Sequence, residues 1–292
     1  MNFQYLSDLH LEFPENKTWV KKNIKPKADY LLIAGDTGYL TDKRDNNIYE
    51  EYCDDFLKFC SDNWKQTILI PGNHEYYGGF PLYRKDSPNL GAATVSNIQI
   101  HDNVTLINRS DIDIDAKDYV IRITGATLWS QIKPEEFINV WTGMNDYNWC
   151  NFVEGERLNP GNTIFEHFKA YSKIRSIKYQ KYASTYNDME AVEDGISKRH
   201  ITKKPIKHII MTHHGCLPDC IADCYRSSRV NSAYTSDLSK LIDEVKPIAW
   251  IYGHTHQTKS FEYNGVKILG NSLGYVRYDD ISHFNKEAVL EV

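Results

Sequence analysis

Five short apolar runs in this chain each end on residues able to hold a metal ion, and this feature narrows the possible folds more than any other. Residues 3–6 precede Asp8 and His10. Residues 30–34 precede Gly35-Asp36, and residues 67–70 precede Gly72-Asn73-His74-Glu75. Late in the chain, residues 208–211 precede Thr212-His213-His214, and residues 248–252 precede Gly253-His254-Thr255-His256. Runs of this length, mostly apolar, read as buried strands. In open α/β sheets, ligands gather outside the carboxyl ends of strands, so residues far apart in sequence can meet at one edge.

The intervening sequence, with strands alternating with helices and a meander at the C-terminus, supports a mixed α/β domain. Tyr49, Tyr52, Cys53, Phe56, Leu57, Cys60 and Trp64 recur at helical spacing and predict a helix over 47–64. Leu238, Leu241, Ile242 and Val245 predict another, stopped by Pro247. Further strands are expected at 104–107, 120–124 and 288–292, with a hairpin of 261–263 and 266–269 around Asn264-Gly265. Residues from about 130 to 206 are polar and read as mostly helical from Thr163 onward. They are expected to form an insert packed on a single domain spanning 1–292.

With His74 and His214 set aside, the strand-end residues are four His, two Asp and one Asn. Imidazole with carboxylate and no thiolate suits Zn, Fe, Mn, Co or Ni. There are too many donors for one tetrahedral site. A carboxylate shared between two cations roughly 3.5–4 Å apart accounts for the surplus, and such a pair clamps the attacking and leaving oxygens of a displacement. Gly35, Gly72 and Gly253 are expected to let the backbone turn sharply beside these donors.

Asp8-Leu9-His10, Gly35-Asp36, Gly72-Asn73-His74-Glu75, His213 and Gly253-His254-Thr255-His256 together resemble the motif set of the calcineurin-like metallophosphoesterases. The match extends to a bacterial and phage subgroup that begins S-D-L-H-L-E-F. Its further marks stand here as Met144-Asn145-Asp146, the 232–238 segment, and Asn271 to Tyr275. The resemblance implies a fold of two facing mixed sheets flanked by helices, with Asp8, His10 and His256 on a first metal, Asn73, His213 and His254 on a second, and Asp36 bridging them. It implies His74 as proton donor to the leaving oxygen, or as a stabiliser of the transition state. One departure stands out: family members often read T-H-H-A-P where this chain reads Thr212-His213-His214-Gly215-Cys216-Leu217-Pro218. His213, rather than His214, occupies the ligand position of the motif.

Asn145, Asp146, Tyr147 and Trp141 are expected to border the substrate pocket. Cys216, Cys220 and Cys224 recur every four residues, the spacing of one helical face. This spacing fits no standard zinc pattern, so buried or redox-sensitive thiols are expected. His101, His167, His200, His208 and His283 fall outside the motifs and are expected on the surface or in the core. The net charge of −5 disfavours a partner such as long duplex nucleic acid, which demands a basic excess. The N-terminus does not read as a signal peptide, and no apolar run is long enough to span a membrane. A cytoplasmic protein with reduced thiols is therefore expected. The expected substrate is a small-molecule or nucleotide phosphate ester. The competing expectation is a non-catalytic scaffold on the same fold, of a kind that usually loses metal ligands.

Overall fold

The computed structural model describes residues 1–41, 49–85, 95–186 and 201–292. In chain order the strands are β1 Asn2–Leu6, β2 Tyr30–Ile33, β3 Gln66–Leu69, β4 Pro81–Tyr83, β5 Asn97–His101, β6 Val104–Ile107, β7 Ser110–Asp115 and β8 Val120–Ala126. They continue as β9 Asn151–Val153, β10 Glu156–Arg157, β11 Tyr182–Tyr186, β12 Ile201–Thr212, β13 Ala249–Tyr252, β14 Ser260–Tyr263, β15 Val266–Gly270 and β16 Val289–Glu291. One mixed sheet runs β16-β1-β2-β3-β6-β5 and the other β14-β15-β13-β12-β8-β7, with β11 added on β12. A small sheet, β10-β9-β4, stands apart from both.

Side-chain alternation explains why the two large sheets face each other. Tyr5, Leu32 and Ile68 of the first sheet share one buried core with Ile209, Met211 and Ile251 of the second. Their chain neighbours point the opposite way, as the period of two in a strand requires. Leu6, Leu31, Ile33 and Leu69 pack outward into a core with the helices on the first sheet. Ile210, Trp250 and Tyr252 pack outward into a third core on the second sheet. Because both faces of these strands are buried, the sequence shows near-continuous apolar runs instead of alternation.

Helices α1 Pro14–Asn23 and α2 Asp54–Asn63 cover the outer face of the first sheet; α5 Pro160–Ser176 and α6 Ser239–Val245 cover the second. Short helices α3 Phe137–Gly143 and α4 Asp146–Trp149 lie before α5 in sequence. The helix expected over 47–64 is shorter. It begins as a 3₁₀ turn at Glu51–Cys53, while Tyr49 stands in an isolated bridge with Leu40; residues 47 and 48 lie outside the described residues. Tyr49 is buried because its hydroxyl serves Glu75, which mimics a helical apolar position in the sequence.

The stretch expected to stay helical from Thr163 departs more. After α5 and a 3₁₀ turn at Ile177–Tyr179, the chain forms the β11–β12 hairpin. Lys203, Lys204 and Pro205 hide this strand from a periodicity reading. They pair only with β11, and the stretch shared with β8 begins at Ile206, so the proline lies where no central-sheet hydrogen bond is needed. Residues from 130–206 enter two of the cores, through Val140 and Tyr147 on one side and Ala170 and Ile174 on the other.

Candidate metal centre

The parallel strands β1, β2, β3, β12 and β13 end along one edge, and the loops leaving them are tightly constrained. Asp8, His10, Asp36, His254 and His256 all adopt left-handed backbone, with φ of 56°, 47°, 53°, 68° and 48°. Each such residue costs free energy outside glycine, and clusters of them persist where surrounding contacts over-determine the loop. Glu75 supplies many of those contacts. Its buried carboxylate accepts from the backbone N–H of Gly72, Asp36 and Thr37 at 2.6, 3.0 and 2.8 Å, and from the Tyr49 hydroxyl at 3.2 Å. Burial and the nearby Asp36 carboxylate push its pKa up to about 8.

Of the three glycines expected to turn the chain, only Gly35 has positive φ, at 89°. The other two are required by close approach. A Cβ on Gly72 would lie 2.1 Å from Asp36 Oδ1, and one on Gly253 2.7 Å from Asp8 Oδ2. The departure at Gly215 has the same origin, since a Cβ there would meet Thr235 Cγ2 at 2.7 Å and Cys220 Cβ at 2.9 Å.

Donor atoms converge in three overlapping groups: Asp8, His10 and His256; His10, Asp36 and His74; and Asp36, His213 and His254, with the atoms of each group within 4.8 Å of one another. His10 Nδ1 donates to Glu12 at 3.0 Å, His256 Nδ1 to Asp279 at 2.8 Å, and His213 Nδ1 to the Ala34 carbonyl at 2.8 Å. In His10 and His256 the outer nitrogen donates to a carboxylate, so the neutral ring turns Nε2 inward as a lone pair; in His213 the bond to Ala34 turns Nε2 toward Asp36. Asn73 is oriented similarly. Its amide nitrogen donates to Asp146 at 2.8 Å, which leaves its oxygen 3.0 Å from His213 Nε2.

These residues fit a cation. His10 Nε2 and His256 Nε2 stand 3.1 Å apart, two inward lone pairs that repel unless positive charge lies between them. His254 Nε2 is buried without a hydrogen-bond partner among the described residues. Burial opposes a proton on His213, yet Asp36 lifts its pKa to about 10; positive charge is favoured where its Nε2 meets Asp36 Oδ2 at 3.3 Å. Burial also opposes charge on Asp36, but His213, His74 and His10 hold its pKa well below the usual carboxylate range. Such buried charge is tolerable only when paired or coordinated. His214 stays outside these groups, its Nδ1 donating to the Thr127 carbonyl at 3.1 Å.

His74 is held differently. Nδ1 donates to Glu12 at 2.7 Å, and Nε2 faces the Tyr275 hydroxyl at 3.1 Å. Its ring stacks on Tyr77, with centroids 4.1 Å apart. Burial works against its charge, but Asp36 and Glu12 outweigh burial and raise its pKa to about 9. Burial would raise Glu12, and the His10 and His74 imidazoles instead lower it to about 2. Glu12, Glu75 and Asp279 carry much of this geometry, yet no role was read for them in the sequence. Glu12 and Glu75 sit inside recognised motif strings, two residues from His10 and one from His74. Asp279 carries no such signal.

A cavity of about 950 Å³ opens on this edge, reaching Asp36, Asn73, His74, His254 and His256. Of the expected pocket residues, Asn145 lines it. Three expectations are corrected. Asp146 is buried beneath Asn73, where it also accepts from the Tyr77 hydroxyl at 2.6 Å. Tyr147 turns away into the core, its hydroxyl 3.4 Å from Thr163 Oγ1. Trp141 packs against Phe137 on the surface and is not part of the lining. All three lie on α3 or α4, where helical phase separates them from Met144, Asn145 and Trp149, which do face the cavity.

The cysteines do not share a helical face. Cys216 and Cys220 are buried, while Cys224 is exposed in a separate 3₁₀ turn at Asp223–Tyr225. No cysteine joins a candidate metal group among the described residues. His167 is buried, His101 and His208 are half-buried in strands, and His283 stands exposed at the cavity rim; His200 lies outside the described residues. No described helix is long and apolar enough to cross a membrane.

Comparison with known proteins agrees with the fold and with the family resemblance. An uncharacterized protein of Acanthamoeba polyphaga mimivirus is 28% identical over 99% of this chain and 96% of its own length. The solved structure of a phosphopantetheinyl hydrolase from Mycobacterium tuberculosis superposes with a TM-score of 0.62 at 16% identity, covering 94% of this chain and 90% of that one. That likeness is one of fold. A family model described as calcineurin-like phosphoesterase matches residues 1–258. The chain belongs to the calcineurin-like phosphoesterase family.

Proposed function

We propose that this protein hydrolyses a phosphate ester at a two-metal centre in which Asp36 is the shared ligand. The observation that carries this reading is the position of the Asp36 carboxylate, which belongs both to a group with His10 and to a group with His213 and His254. Asp8, His10 and His256 would hold one ion, and Asn73, His213 and His254 the other. Two such cations supply a water of lowered pKa and positive charge against the phosphoryl oxygens.

The chain's own groups perform the rest. Glu12 holds the Nδ1 proton of His74 and so keeps Nε2 as the working nitrogen. Nε2 would carry a proton to the leaving oxygen, with the Tyr275 hydroxyl beside it. Because both nitrogens of His74 are engaged in this way, its role as a donor is favoured over its role as a ligand. Asp146 and Asp279 keep Asn73 and His256 turned inward.

Metal analysis coupled to rates tests the proposal. Asp36→Asn should lose the paired site and most activity; unchanged metal content and rate would contradict the shared role. His74→Ala should retain both metals and slow turnover by roughly 10²–10⁴. Lost metal in that variant would make His74 a ligand. If the protein binds two metals yet hydrolyses neither p-nitrophenyl phosphate nor its bis ester with Mn²⁺ or Ni²⁺, a non-catalytic scaffold is the better reading.

A further inference from the structure

The walls of the cavity carry a charge pattern that bears on the substrate. Among the described residues its lining contains no Lys or Arg, but it does contain Asp279 and Asp280. Basic residues next in sequence to the lining are turned to other partners. Arg226 pairs with Asp219 at 3.3 Å and Asp223 at 3.0 Å. Lys259 approaches Asp223 at 3.8 Å, and Arg277, 3.7 Å from Glu15, lies over the outer Tyr278 ring at 5.6 Å without entering the lining. Arg229 is exposed and outside the lining. A phosphomonoester gains its second negative charge with a pKa near 6, whereas a diester keeps one charge at any neutral pH. Many sites that hold dianionic or oligophosphate groups add guanidinium or ammonium donors to them; beyond His74 and the two ions proposed above, the described lining adds none, and it carries Asp279, which holds His256, and Asp280, 3.9 Å from His283.

A second, independent observation concerns the mouth of the cavity. Trp149, Tyr225 and Tyr278 line it while remaining 56%, 58% and 72% exposed. Neither Trp149 nor Tyr225 stacks on another ring among the described residues. Large rings left open to solvent around a concave site offer faces for a flat group of a ligand.

Building on the phosphoesterase reading above, we infer that the substrate is a singly charged phosphodiester bearing a flat aromatic or heteroaromatic group. In the step implied, the oxygen of water bonds to phosphorus, one P–O ester bond breaks, and the departing oxygen takes a proton. The product is a monoester that becomes a dianion. The acidic wall disfavours that product, so hydrolysis stops after one bond.

Three esters with one leaving group test this at pH 8 on the metal-loaded protein: p-nitrophenyl phosphate, methyl p-nitrophenyl phosphate and bis-p-nitrophenyl phosphate. The methyl diester should exceed the monoester in kcat/KM by at least about tenfold, the scale of an unfavourable like-charge contact. The bis ester should release one equivalent of p-nitrophenol, not two. Trp149→Ala, an exposed change, should raise KM about 3–10-fold for the bis ester, which keeps a second ring on the product, and leave the methyl ester, whose one ring departs, nearly unchanged. Asp280→Lys should narrow the preference for diester over monoester.

Equal or faster monoester cleavage, or two equivalents from the bis ester, would overturn the inference while leaving the phosphoesterase reading intact. An unchanged KM in Trp149→Ala would remove the aromatic requirement. No hydrolysis of any of the three with both metals bound would sink the underlying reading instead.

Discussion

At the scale of single residues, Glu12 ties two histidines together, its Oε1 accepting a hydrogen bond from each imidazole. One belongs to His10, in the candidate metal groups, and the other to His74. Glu12 touches no substrate in this arrangement and acts by positioning. Replacing it with Gln keeps the volume but removes the charge that fixes both rings. At saturating metal, Glu12→Gln should slow hydrolysis of a phenyl ester by about 10–100-fold. The p-nitrophenyl ester, whose leaving group needs little protonation, should slow far less. Equal losses on the two esters would show that Glu12 matters only for folding or metal retention. The sequence displayed the strand-end donors because each follows an apolar run. Glu12 and Asp279 could not be read the same way, since a carboxylate that supports another side chain looks like any solvated acid until the third dimension is known.

Among the secondary elements, legibility follows burial. The strands nearest the site are apolar on both faces and were readable as runs, and the hairpin at Asn264-Gly265 declared itself by its turn. β7, Ser110–Asp115, alternates acids with isoleucines at an edge, and β12 opens with lysines, so neither edge resembled a core strand. Helix α5 carries a buried histidine with a consequence for stability. Burial lowers the pKa of His167 to about 4, against the pull of the Leu128 and Trp129 carbonyls, and its Nδ1 has no hydrogen-bond partner among the described residues. A second proton on this ring would be buried without an acceptor. The folded state therefore binds fewer protons than the unfolded chain between about pH 4 and the ordinary histidine value near 6.5. Stability from this group is intact above 6.5 and is lost as pH falls, by about 3 kcal/mol at pH 4. In urea titrations of chelator-treated protein, His167→Gln should show a shallower loss across that window than the parent. Parallel curves for the two proteins would mean that His167 does not report on folding.

The whole molecule poses the question of what joins the two sheets at their shared edge. Asp8, His10, Asp36 and Asn73 follow strands of the first sheet, and His213, His254 and His256 follow strands of the second. Protein contacts already cross there: the His254 N–H donates to the Asp8 carboxylate at 2.9 Å, and His213 Nδ1 to the Ala34 carbonyl at 2.8 Å. They hold loops with five left-handed residues and two facing imidazole lone pairs, an arrangement that stores strain and repulsion. Cations bound between the sheets would relieve the repulsion and tie the layers together. A ligand present at about a thousand times its Kd contributes about 4 kcal/mol to stability, or roughly 5–10 °C in Tm for a chain this long. Chelation should lower Tm by about that amount. It should also speed hydrogen exchange at the amides of His10, Gly253 and His254, while β7 and β8, paired along their length to Asp115 and Val120, should keep their protection. Uniform loss of protection would mean that the metals stabilise the fold without acting as a local clasp. No change in either measurement would mean that the two layers are held by their shared apolar core alone.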